Sequence, residues 1–391
     1  MKQILCSVFF SILILSACSQ RNDQKSENES QLNHFNLTPI DSIRIPFLGN
    51  PILQDISPST QKILFIESVQ NDEEIFISNF KGEILHSFVT NGNTIVGTLR
   101  RIAPLHFDED GNSFLSFGSP QIKRVSLDGK TVEIILTGIP PYYSSFPSPT
   151  NEIIVRDNKI FYNSRSEDGN YNRYQKEYLK NLKLIGYLDL DKKETTTFLS
   201  FPEESIYQNG LIFPHSSWVS HFIFSQNQLL VAFEGEPALY VFDGKEPFSF
   251  HQKIDLNLGE FRGYEGHTEG EEGIDFMEAR ITLGKIESIK KLGEYVLIGY
   301  KRGFTDDQLR IWETASTPEE RRELITRFEK ESPNRFLLLN EDLEFLDDFP
   351  NPQFLNISSL MARDGYLWGS KYDPDIEEDY FTIYKLEIQE K

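Results

Sequence analysis

One hairpin pattern returns throughout this chain and narrows its possible folds. Ile122 to Leu136 reads IKRVSLDGKTVEIIL, two runs with apolar residues at alternate positions flanking Asp128-Gly129. Alternation at period two sets one face of each run on a core. Asp-Gly between such runs closes a tight turn, because glycine accepts positive φ. Looser copies are IFISNFKGEILHSF from Ile75, IGYLDLDKKETTTFL from Ile185, ALYVFDGKEPFSF from Ala238 and FLLLNEDLEFLDDF from Phe336. The interval is about 50 residues or a multiple of it, too long for a lone hairpin and suited to a four-stranded propeller blade.

Laid out in this way, the chain after Phe35 supplies five sets of four short strands and then only three, Asn356–Met361, Tyr366–Ser370 and Phe381–Ile388. The stretch Asn36–Ile45, NLTPIDSIRI, has no other home, and as the outer strand of the last blade it closes the ring and covers two sheet edges. The expectation is an all-β, six-bladed β-propeller. A seven- or eight-bladed ring needs four more strands from 257–284, which is rich in Gly and Glu. The A–B and C–D connections are tight, whereas the long insertions 138–150, 164–181, 201–218, 257–284 and 302–334 all join strands D to A or B to C. Strand alternation places them on one face, where a functional site is expected. Within 303–333 one helix is expected, with Thr317 as N-cap, Pro318 first, Glu320 completing a capping box, and Leu324, Ile325 and Phe328 on one stripe.

The N-terminus is a separate matter. Lys2 precedes an apolar run from Ile4 to Leu15, too short to span a bilayer, which ends in Leu15-Ser16-Ala17-Cys18. These four residues resemble the bacterial lipobox. The resemblance implies cleavage before Cys18 and acylation there, so residues 1–17 read as a signal peptide. Residues 18–35 read as a lipidated flexible tether and 36–391 as a single propeller domain. Cys6 leaves with the signal, so no thiol remains in the folded part to make a disulfide or ligate zinc.

A net charge of −21 with no compensating basic stripe argues against nucleic acid as a partner. No Gly-x-Ser-x-Gly, P-loop or EF-hand pattern occurs. Two loops hold the candidate chemistry. In 261–280, FRGYEGHTEGEEGIDFMEAR, Glu265, His267, Glu271 and Asp275 are candidate ligands for a divalent cation, or an acid/base set. In the third blade's loop Arg165, Tyr171, Arg173 and Tyr174 offer flat aromatic faces and guanidinium donors for a glycan or peptide. Trp312, in the second long loop, joins the ligand-binding candidates.

Lipobox, length and blade pattern together resemble the uncharacterised β-propeller lipoproteins of Bacteroidota. That family is a domain of unknown function and transfers no catalytic residue. The resemblance implies an outer-membrane lipoprotein of the cell envelope, periplasmic or surface-exposed, held to the membrane by its lipid. The expected function is a monomeric binding module that recognises a glycan, peptide or protein through the long-loop face. The alternative is a metal-assisted hydrolase or lyase using the His267 loop. Propellers host both classes.

Overall fold

Six antiparallel sheets of four strands each stand in a ring, and the computed structural model describes residues 34–69, 72–89, 104–118, 121–136, 153–167, 171–271, 276–371 and 379–391. Blade 1 takes Pro51–Ser57, Lys62–Val69, Asp72–Asn79 and Ile84–Val89 as its strands A to D. Blade 2 has His106–Phe107, Ser113–Phe117, Gln121–Ser126 and Thr131–Leu136. Blade 3 has Ile154–Arg156, Lys159–Glu167, Leu182–Asp189 and Glu194–Leu199. Blade 4 is Ser220–Ser225, Gln228–Phe233, Ala238–Asp243 and Phe250–Asp255. Blade 5 is Leu283–Leu292, Tyr295–Gly303, Arg335–Leu339 and Phe345–Pro350. Blade 6 has only Met361–Arg363, Tyr366–Ser370 and Tyr380–Glu390 from the C-terminal end. Its outer strand is Phe35–Pro46, paired antiparallel with Tyr380–Glu390 from Phe35↔Glu390 to Pro46↔Tyr380. The chain's first strand thus closes the ring. The signal and lipobox residues lie outside the described residues.

The core follows from strands buried on both faces. In blade 4, Leu229, Val231 and Phe233 pack towards blade 3, while Leu230 and Ala232 pack towards blade 5. The same division recurs at every junction, so each apolar cluster among the described residues joins two neighbouring blades. Burial between sheets explains why QLLVAF reads as a continuous apolar run rather than a clean alternation.

A buried charge ties three inner strands. Asp55 of blade 1 accepts from Arg363 Nη2 at 2.6 Å and Nε at 3.0 Å in blade 6, and from Phe107 N at 2.8 Å in blade 2. His106 Nδ1 lies 2.5 Å from Asp55 Oδ2, the oxygen that also accepts from Phe107 N. Burial alone would raise this carboxyl, but Arg363 and His106 outweigh it and hold the pKa at about 2. Removing one partner of such a pair strands the other, so the set acts as a latch at the closure.

Two local expectations change. Asn356–Met361 is not a strand; Ile357–Ser359 is a 3-10 turn and pairing starts at Met361. Ser359 Oγ donates to Asn356 O and accepts from Ser370 N, so a side chain takes the place of ladder bonds there. The single expected helix is a pair. After the short helices α1 (Glu177–Lys180) and α2 (Phe276–Thr282) come α3 (Asp306–Thr314) and α4 (Pro318–Glu331). Both α3 and α4 begin with complete capping boxes, Thr305 with Gln308 and Thr317 with Glu320.

Candidate functional site

Strands B and C of blade 4 are joined by Glu234-Gly235-Glu236-Pro237, on the face that carries the long connections. Gly235 presses this turn against the loop before strand A. Its N–H donates to Ser217 O at 2.6 Å, and a Cβ there would stand 2.7 Å from Ser217 Cβ, which only glycine avoids. The two glutamates then point to different surroundings.

Glu236 is enclosed and satisfied. It accepts from Ser205 Oγ at 2.8 Å, Tyr240 OH at 2.7 Å, Lys253 Nζ at 2.9 Å and, more weakly, Ile206 N at 3.3 Å. Glu234 is equally buried but only half satisfied. Oε1 lies 3.3 Å from both His221 Nε2 and Lys285 Nζ, and Oε2 has no hydrogen-bond partner among the described residues. Burial would raise this carboxyl, yet Lys285 and His221 together hold it below the usual glutamate value.

Glu234 lines a cavity of about 120 Å³ between blades 4 and 5, together with Tyr264, Arg280, Lys285, Glu287 and Lys301. Blade 5 places these charges by register. Lys285 of strand A stands directly opposite Lys301 of strand B, and the register slips between Ile286 and Ser288, so Glu287 is the bulged residue. Ordinary strand alternation keeps Glu287 on the same face as Lys285, and both line the cavity. Burial pushes the Lys285 ammonium down, but Glu234 and Glu287 pull it up further and it ends above its usual pKa. Lys301 ends below its usual value, because burial outweighs the attraction of Glu287. Among the described residues its Nζ reaches only the carbonyls of Arg280 and Ile281, both at 3.4 Å.

None of the described binding or metal candidates read from the sequence lines this cavity. Tyr171 and Tyr174 are exposed, and Arg173 donates to Tyr174 OH at 2.6 Å. Arg165 lies 5.5 Å above the ring of buried Tyr178. Trp312 is no surface platform; it is 1% exposed, packed on Phe304 and covered by Arg321. His267 is fixed by a two-way backbone bridge to Ile212, with Nδ1 3.2 Å from Tyr264 OH. Glu265 is exposed, and Glu271, also exposed, bends back to accept from Thr268 N and Oγ1. Asp275 lies outside the described residues. Among the described residues no three His, Asp or Glu side chains gather as a metal ion requires. Through Tyr264, however, the insertion read as the richest polar loop does wall the cavity.

Sequence reasoning missed Glu234, Lys285, Glu287 and Lys301. The available signal was Glu-Gly-Glu-Pro directly after the buried run QLLVAF, two charges where an apolar strand ends.

Fold and site together define a class: a six-bladed β-propeller with a charged pocket between two blades on its long-loop face. No family model matches the chain, and no curated protein matches it by sequence. Among solved structures it is similar to a member of the DUF4221 family from Bacteroides vulgatus, with TM-score 0.64 and 12% identity, over 92% of this chain and 100% of that one. It is also similar to a candidate exported protein from Bacteroides fragilis, with TM-score 0.53 and 9% identity, over 92% and 97% of the two chains. Likeness at such identities carries the fold and nothing finer.

Proposed function

We propose that this chain is an envelope-displayed binding module, anchored to the membrane through acylated Cys18 as an outer-membrane lipoprotein. Its pocket between blades 4 and 5 receives a polar group of a glycan, peptide or protein ligand. The observation that carries this reading is Glu234, a buried carboxylate that lines the cavity and whose Oε2 has no hydrogen-bond partner among the described residues. Leaving such an oxygen unpaired is costly, and a ligand hydroxyl, amide or amine removes the cost. Placement of the pocket on the face bearing the long connections adds support. So do the Leu15–Cys18 motif and the likeness to a candidate exported protein.

A glycan and peptide binding screen on the purified protein, repeated with Glu234→Gln, tests the pocket. The reading predicts a ligand whose binding weakens in the variant; a ligand bound equally well by both places recognition elsewhere. Cys18→Ala tests the anchor, moving the protein from the membrane fraction to the soluble one. Unchanged fractionation refutes lipidation at Cys18.

A further inference from the structure

The pocket contains an arrangement that a merely structural sheet avoids. Lys285 and Lys301 are cross-strand partners on one face of blade 5, and like charges directly opposite one another destabilise a sheet. Glu234 offsets the first of them at 3.3 Å. The second has no ion-pair partner among the described residues and rests on two backbone carbonyls. Arg280 adds a third cation from the exposed end of α2. Within the lining, Lys285, Lys301 and Arg280 face Glu234 and Glu287, three positive charges to two negative, while Glu329 of α4 acts on Lys301 from outside the lining.

The two carboxylates need donors as well. Glu234 Oε2 has none among the described residues, and half-buried Glu287 receives Asn334 Nδ2 at 3.4 Å. A bare anion answers the lysine and leaves Glu234 Oε2 without a donor. A zwitterion supplies a donor but leaves the positive excess within the lining in place. Uncharged hydroxyl donors together with one carboxylate answer both needs, and the Tyr264 ring offers an apolar wall to the C–H face of a sugar.

We propose that the ligand group of this pocket is a sugar acid of uronic type, its carboxylate on Lys301 and its hydroxyls on Glu234 and Glu287. This rests on the binding-module reading and specifies its ligand class. The cross-strand lysine pair is then a strain retained for recognition, relieved when the acid binds.

Titration calorimetry of the full-length protein with glucuronate, glucose, acetate and glycine tests it. Glucuronate is expected to bind tightest. Lys301→Met is expected to weaken glucuronate at least about ten-fold, the loss typical of one charge-assisted hydrogen bond, and to leave glucose unchanged. The variant's melting temperature is expected to stay level or rise, which separates lost recognition from lost folding. Glu287→Gln is expected to weaken both sugars. Equal affinity for glucose and glucuronate overturns the acidic ligand and leaves the pocket reading intact. Preference for glycine overturns it in favour of a zwitterion. Glucuronate binding unchanged in both variants overturns the pocket itself, and failure of either sugar to bind overturns the ligand class.

Discussion

Glu234 and Glu236 sit one glycine apart in the same turn, both almost wholly buried, and they serve opposite ends. Glu236 collects donors from the loop before blade 4 and from strands C and D, using both oxygens. Ser205, Tyr240 and Lys253 thereby fasten the 201–218 connection to the sheet. Glu234 uses one oxygen for His221 and Lys285 and leaves the other without a partner among the described residues, beside a cavity that the residue lines. A satisfied buried network specifies a structure, and a half-satisfied one next to a cavity marks a place built for something else. Burial alone does not separate the two residues; the count of donors does.

Substitutions can break or sharpen that contrast. The largest effect is expected from Glu236→Ala, which strands Lys253 and two hydroxyls in the interior and costs roughly 3 kcal/mol or more. Denaturant unfolding measures it, and a loss under about 1 kcal/mol would remove Glu236 from its structural role.

Glu234→Gln is expected to cost less, about 1–2 kcal/mol, because only one oxygen is engaged. Its pH dependence is the sharper test. The folded pKa of Glu234 lies below the usual value of 4.5, so its contribution is present above that pH and is lost as pH falls through the folded value. The stability gap between wild type and Glu234→Gln should therefore be widest near neutrality and close on acidification. Asp55, with a pKa of about 2, titrates alike in both proteins and cancels from the comparison. A gap independent of pH contradicts a charged Glu234.

Lys301→Met should give the smallest change and the opposite sign. Removing one of two facing ammonium groups is expected to raise stability by about 0.5 kcal/mol. Lys301, depressed below its usual pKa, weakens the fold while charged, and that cost fades as pH rises through its titration. A clear loss of stability in this variant would mean that the lysine pair is structural.

How much of this was legible in the sequence follows from the range of each interaction. The ring was legible because blade strands alternate locally, and because a missing fourth strand at one end matched the spare Asn36–Ile45 at the other. The α4 cap at Thr317 was legible for the same local reason, while Thr305-Asp306-Asp307-Gln308 carried an equal signal that was passed over. The pocket was not legible. Glu234 lies in a four-residue connection, far shorter than insertions such as 257–284 and 302–334, so loop length pointed away from it. Lys285 and Lys301 meet only through strand register, and alternation puts Glu287 on the face of Lys285 but does not reveal which neighbouring elements wall the cavity there. Trp312 misled because an aromatic in an amphipathic helical segment reads the same whether it faces solvent or the packing of α3 on α4.

The most direct test of the division between the two glutamates is a crystal structure of the protein with a ligand from the binding screen. The expected result is ligand density between blades 4 and 5, with a donor within hydrogen-bond distance of Glu234 Oε2 and Glu236 unmoved among Ser205, Tyr240 and Lys253. Ligand bound elsewhere, for example at Tyr171 and Tyr174, with the pocket unchanged, would contradict it.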